Sequence, residues 1–376
     1  MVLTRRQAAE LQLTGPSSQD CERHTVNNTV LTPVNRFTRH VDMLGSATKG
    51  VLSHPLVDDQ PTAGDDAVNM VPSTSGIHAA TIDMDGQENR LPTGQEPAVV
   101  EITYPLIEDM VALSDPDEVK AMVRQVESEL QSSEWTIVCS GMNGLRRLAA
   151  HHPEACQELM GVAMGSIVRG IKSPRSALSK SAIITSRDLF MCLPETMGAY
   201  VESVEPGSLL TQLLLKSASL DKRFVVEEAV KSLEQMALSV HPLITCTSLM
   251  SLGCHKNPKV RGKCYMILLL VMQSDAWQPN VVVDVGLDQL IRMCADGTND
   301  NTAEARDSSR KILCMMRDEW ILVDDVRAHM ECCCNESMSE QQPDVPSMEG
   351  IDPLVVRYLS EVLGASKATL LLKKMT

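Results

Sequence analysis

HKNPKVRGKCYMILLL (residues 255–270), DKRFVVEEAVKSLEQM (221–236) and SPRSALSKSAIITSRDLF (173–190) follow one pattern. Each opens on a short polar loop carrying basic residues and runs into apolar residues at helical spacing. An apolar helix precedes each copy. A helix pair of this kind cannot bury its apolar face alone, so recurring pairs have to stack on one another. Stacking lines up the loops within pairs along one edge, where they form a ridge.

Working outward from these copies, helical patterns fill the chain from Asp115 to about Val323. DPDEVKAMVRQVESELQSSEW (115–135) begins with an Asp cap and an acidic first turn, then spaces Val119, Met122, Val126 and Leu130 along one helix face. The expected pairs are 117–132 with 135–151, 154–171 with 174–193, 207–218 with 223–240, 242–253 with 257–274, and 280–295 with 302–318. Second helices starting at Trp135, Pro174, Arg223, Asn257 and Thr302 lie 39, 49, 34 and 45 residues apart. That spacing fits HEAT-type repeats of about 40–47 residues and predicts an all-α, α-α superhelix of HEAT or armadillo type. Prolines 153, 174, 206, 242, 258 and 279 fall at or near predicted helix starts, where a missing N–H costs least.

Residues 1–100 are rich in Thr, Ser, Asn, Asp, Gly and Pro and lack sustained periodicity, so they are expected to be disordered apart from a short helix at 4–13. Residues 101–330 form the repeat domain, 331–350 an acidic linker, and 351–376 a C-terminal helix. Leu354, Val355, Tyr358, Leu359, Val362 and Leu363 give that helix an apolar face, which either caps the stack or meets a partner, including a second copy of the chain.

Aromatics make up 3% of the chain against 22 methionines, a balance that suits helix-on-helix packing better than a sheet. The formal charge of −15 argues against nucleic acid as a partner. No signal peptide and no apolar run of membrane length appear, so an intracellular, cytoplasmic protein with no membrane contact is expected. The 12 cysteines include no matched CxxC pairs and read mainly as buried thiols in a reducing compartment. Cys332, Cys333 and Cys334 lie close to His329, but three adjacent thiols cannot share one metal comfortably without other ligands. They read as an exposed or lipidated tract, and no metal or cofactor is expected. No phosphate loop, dinucleotide fingerprint, zinc-hydrolase motif or nucleophile elbow appears, so an enzyme is not expected. His151 and His152 end a helix, where His complements the dipole.

Four elements together resemble a TOG domain of the type in CLASP and in the ciliary TOG-array proteins called Crescerins. They are SSEWTIVCSGMNGLRRLAAHHPE (132–154), IKSPRSALSKSAIITSRDLF (171–190), KRFVVEEAVKSLEQM (222–236) and HKNPKVRGKCYMILL (255–269), in the family's order and spacing. The resemblance implies a flat paddle of six HEAT repeats that binds tubulin or microtubules through the loops of one edge, with a cytoskeletal location and, from the likeness to the Crescerin-type domains, a ciliary or axonemal one. Five pairs are visible. The sixth has to come from 319–330 with the terminal helix, or from 101–113.

Tubulin's surface is acidic, so the ridge should be basic despite the chain's charge. Lys172, Arg175, Lys222, Arg223, Lys256, Asn257, Lys259 and Arg261 are the candidate contacts, with Lys263 beside them and Glu134 and Asp221 as the main acids nearby. Trp135 is the expected anchor; the alternative is that it plugs the end of the stack. Arg175 and Arg261 could instead bond a neighbouring repeat, and Asn257 could be a helix cap. His255 reads as an interface or capping residue. The loop DGTNDNTAEAR (296–306) is acidic and departs from the pattern. Val226 replaces a family Arg or Lys, and Gly141 and Gly144 are expected to loosen their helix. A single such domain favours a modulator or tether over a processive polymerase. The competing reading is a helical-repeat scaffold for a non-tubulin protein.

Overall fold

The computed structural model describes residues 102–336 and 350–375. These fall in the compact unit Pro92–Thr376; the other unit, Met1–Leu91, lies outside the described residues, as do the expected disorder of 1–100 and the short helix at 4–13. The described residues form fifteen α-helices and no strand. They are α1 (Pro116–Leu130), α2 (Trp135–His151), α3 (Pro153–Lys172), α4 (Ser176–Cys192), α5 (Pro194–Glu202), α6 (Leu209–Ser217), α7 (Arg223–Ser239) and α8 (Pro242–Leu252). They continue as α9 (Pro258–Met272), α10 (Val281–Val285), α11 (Leu287–Gly297), α12 (Ala303–Asp318), α13 (Asp324–Glu336), α14 (Pro353–Leu363) and α15 (Ala365–Met375). No helix of the described residues is long and apolar enough to cross a membrane.

Proline and a polar cap set most of the helix starts. Asp115, Asn257 and Asp352 each accept from the amide two residues on, at 2.9, 3.0 and 2.8 Å, with Pro116, Pro258 and Pro353 in the first turn. Pro153, Pro194 and Pro242 open α3, α5 and α8; of these only α8 has a side-chain cap, from His241. Pro174 opens no helix: α4 begins two residues later, behind Arg175.

The second helices α2, α4, α7, α9 and α12 pack side by side as one layer, and α1, α3, α6 with α5, α8 and α10 form the other. One continuous core runs between them, with Leu145, Ile167, Ile183, Leu213, Leu233, Leu268, Leu290 and Ile312 fully buried. Burying each such side chain contributes about 1.5–3 kcal/mol.

Several expected boundaries shift. The first helix of the fifth pair, expected whole over 280–295, breaks at Gly286 (φ 100°), a backbone that other residues rarely adopt. The expected single C-terminal helix breaks at Gly364 (φ 82°) into α14 and α15. The expected linker is helical up to Glu336, because Met330 and Cys334 keep α13 seated on the core. The extra helix α5 precedes the third pair; at nine residues it is too short for its periodicity to stand out.

At the C-terminal end α13 packs on α14 and α14 on α15, while α14 also reaches α11 and α15 reaches α12. Val355, Tyr358, Leu359 and Val362 are buried there, so the apolar face of α14 is used within the chain. At the front, residues 102–113 form an extended strap with one 3-10 turn, not a helix pair. Asn143 donates to the Thr103 carbonyl (3.2 Å), Arg146 to Pro105 (2.7 Å) and Arg147 to Val111 (2.6 Å). His151 bonds the Met110 carbonyl and His152 accepts from the Leu113 amide, so both histidines fasten the strap.

Gly141 and Gly144 of α2 lie against α1. A Cβ at Gly144 would lie 2.6 Å from Val126 Cγ2, and one at Gly141 would lie 2.9 Å from Glu129 Cβ. Both glycines let α1 and α2 approach closely.

Candidate functional site

The loops within pairs, 131–134, 173–175, 218–222, 253–257 and 298–302, carry the predicted residues. Alternating helix directions turn these loops to one edge, and direct contacts tie neighbouring loops together.

The first three loops are linked. Trp135 opens α2 and is half-buried, lining a shallow pocket with Leu130, Val138, Ser166, Arg169 and Leu178. It is therefore neither a full plug nor a free anchor. The Arg175 guanidinium lies 5.6 Å from the Trp135 ring centroid, a cation–π arrangement between loops one and two. Lys222 Nζ donates to Ser176 Oγ at 3.3 Å, which joins loop three to the start of α4. Lys172, Arg175, Lys222 and Arg223 are all exposed. Arg223 is 92% exposed and among the described residues pairs with Glu227, one turn on, at 2.6 Å, an arrangement that adds little stability at the surface. Asp221 accepts from Lys216 at 2.9 Å; that bond and the Lys222 amide hold its carboxyl below the usual carboxylate range.

The fourth and fifth loops form a second linked group. Asn257 caps α9, and its own amide donates to His255 Nδ1 at 3.1 Å. Arg261 is largely engaged inside the fold: it donates to Asp300 at 2.6 Å and to the His255 carbonyl at 2.9 Å. Lys263 pairs with Glu304 at 2.8 Å. Burial alone would push Asp300 up, but the Arg261 bond and two from Thr302 outweigh it and hold its carboxyl below the usual range. Lys256 and Lys259 remain exposed, with no ion pair among the described residues. The acidic loop 296–306 is thus compensated by Arg261 and also by Lys374 of α15, which donates to Asn299 at 2.6 Å.

The ridge is more mixed in sign than its loop sequences suggest. Glu227, Asp300 and Glu304 join Glu134 and Asp221 beside it, because side chains from helix interiors and from the next repeat reach the loops. Among the described residues, the ridge cations without an ion pair are Lys172, Arg175, Lys222, Lys256 and Lys259. The sequence reading also missed the apolar part. Leu220 is 92% exposed in loop three, and Ile137 and Phe224 are exposed near Trp135 and Arg223. The one sequence signal for Leu220 is its place in SASLDKR (217–223), outside the apolar register of α6 and α7. Lys180 lies 4.4 Å from the Tyr104 ring centroid and 5.8 Å from that of Phe224, which continues the aromatic–cation pattern around the start of α4.

No family model matches the chain. The mouse protein named TOG array regulator of axonemal microtubules protein 1 is 27% identical over 189 residues, covering 50% of this chain and 10% of that protein. The human protein of the same name is 27% identical over 124 residues, covering 33% of this chain and 7% of that protein. The chain thus spans a tenth or less of the length of these relatives. Among solved structures, the MAST/Orbit N-terminal domain is 14% identical, with 66% of this chain and 94% of that one covered at a TM-score of 0.40. The TOG domain of C. elegans Zyg9 is 10% identical, with 71% and 91% covered at 0.41. The chain resembles the TOG domain family, as its four sequence elements do.

Proposed function

We propose that the edge carrying Trp135, Leu220 and the loop cations binds tubulin, as free dimer or within the microtubule. The observation that carries this reading is the first three loops: Trp135, Arg175 and Lys222 are tied side by side, with Leu220 exposed among exposed cations. An apolar centre within a basic rim suits an acidic protein surface, the apolar groups supplying affinity and the cations steering encounter. The engaged Arg261 and Asn257 are proposed to position loop four, leaving Lys256 and Lys259 to face the partner. The relatives' name supports a cytoskeletal setting, and we extend it to a cytoplasmic protein of ciliary axonemes that tethers or modulates microtubules. One such edge among the described residues offers one tubulin contact, too few to hold several dimers at once.

The test is cosedimentation of the full chain with microtubules, alongside gel filtration with free tubulin. Binding should weaken steeply with added salt and fall by about 30-fold for Trp135→Ala, the scale of a central hot spot. Lys222→Glu and Lys256→Glu should each weaken it too. If the intact protein neither pellets nor coelutes, the edge serves another protein partner and the scaffold reading replaces this one.

A further inference from the structure

Asp288, His329 and Cys333 meet where the start of α11 lies against α13, away from the ridge residues. His329 and Cys333 stand four residues apart on α13 and so share one helix face. Asp288 comes from the first turn of α11. His329 Nε2 lies 3.7 Å from Asp288 Oδ1 and 3.6 Å from Cys333 Sγ, and all three atoms fall within 4.8 Å of one another. Tetrahedral zinc, with bonds of about 2.0–2.3 Å, needs its ligand atoms about 3.3–3.8 Å apart. The two separations from His329 already match that spacing, and the third, between Asp288 and Cys333, lies within 4.8 Å.

We propose that these three side chains form a zinc site with an open fourth position. A thiolate and a carboxylate would balance the dipositive charge. The sulfur and imidazole donors select zinc over magnesium or calcium, which take oxygen ligands. Asp288 and His329 are 43% and 29% exposed, so the fourth position opens to solvent and takes water. On binding, the Cys333 thiol gives its proton to solvent, one proton for each zinc. An outer contact is present as well: the buried Tyr358 on α14 donates its hydroxyl to Asp288 Oδ1, and its ring meets His329 edge-on at 6.4 Å. Such contacts orient metal ligands. The ion would cross-link α11 to α13 directly and α14 through Tyr358, locking the end of the stack. In the sequence, the adjacency of the three thiols argued against a metal. The fold uses only the middle one and supplies Asp288 from 45 residues away.

The metal-free full-length protein would be titrated with cobalt(II) and zinc(II), following the thiolate–cobalt absorption band, proton release and thermal midpoint. One cobalt should produce the band, zinc should displace it, and zinc should raise the midpoint until a chelator is added. Cys333→Ser and His329→Gln should lose the band and the zinc-dependent shift, Tyr358→Phe should weaken zinc binding about 10-fold, and Cys332→Ser should change neither. Circular dichroism checks that each variant is folded. If a variant unfolds, protection of Cys333 in the unaltered protein from alkylation, dependent on one zinc, decides the matter. Absence of the band, its persistence in both Cys333→Ser and His329→Gln, or its loss in Cys332→Ser would overturn the site.

Discussion

The Arg175 guanidinium lies 5.6 Å from the Trp135 ring centroid and joins the first two loops of the edge through a single stacked pair. The pair gives Trp135 a fixed setting while leaving part of it exposed. An exposed cation–π contact is worth about 0.5–1 kcal/mol, and Lys lacks the planar group that stacks. Arg175→Lys should therefore cost less than about 1 kcal/mol of stability. A double-mutant cycle with Trp135→Ala, read by urea unfolding, should return a coupling near 0.5–1 kcal/mol. Coupling indistinguishable from zero would mean that the stack does not form in solution.

Arg146 and Asp188 form an ion pair of 2.6 Å with both side chains almost wholly buried. Arg146 also holds the Pro105 carbonyl at 2.7 Å, and Arg187 links Asp188 to Glu228 on α7. Removing one partner strands the other charge, at a cost of about 3–5 kcal/mol. Asp188→Ala should lose that much in urea unfolding and speed amide exchange in 102–113. Replacing both with apolar residues, Arg146→Met with Asp188→Leu, should recover much of the stability but not the protection of the strap. Unchanged exchange in the strap for both variants would show that Arg146 does not hold it.

Glycine substitution separates close approach from helix propensity. Gly161 lies inside α3, and a Cβ there would meet nothing within 4 Å. Gly161→Ala should stabilise by up to about 1 kcal/mol. At Gly141 the new Cβ would lie 3.1 Å from the Leu130 backbone nitrogen, which cannot swing aside. Gly141→Ala should destabilise by about 1–3 kcal/mol, the usual cost of overpacking. Thermal unfolding of the two variants should move in opposite directions, and an equal shift would contradict the packing between α1 and α2.

The repeat architecture was legible because it rests on local signals: helical periodicity, Asp115 and Asn257 as caps, and prolines at helix starts. The breaks at Gly286 and Gly364 were harder to see, since a lone Gly inside an apolar run can equally be tolerated within a helix. The loop cations could be read as a set, but their partners could not. Asp300 reaches Arg261 from 39 residues away and Glu304 reaches Lys263 from 41, so the ridge's true charge depends on tertiary neighbours. Asp288 was invisible as a companion of His329 for the same reason. Leu220 escaped notice because a single loop leucine looks ordinary until its 92% exposure is known.

Burial raises the thiols of Cys156, Cys246 and Cys264 to about 12, in each case chiefly by desolvation of the charged form. In the unfolded chain the same groups titrate near 8.5, as exposed cysteines do. Because the folded values are the higher ones, the stabilising contribution is fully present below about pH 8.5 and is lost as pH rises towards 12. Within that window each thiol adds up to about 1.4 kcal/mol per pH unit to the loss. Unfolding midpoints should therefore hold steady between pH 7 and 8 and then fall, and Cys246→Ala should show a shallower fall than the unaltered protein despite starting lower. The same physics predicts reactivity at neutral pH: iodoacetamide should label the exposed Cys254 quickly, and Cys156, Cys246 and Cys264 only after unfolding. Peptide mapping that found Cys246 modified at the rate of Cys254 in the folded protein would contradict the sealed core between the two helix layers.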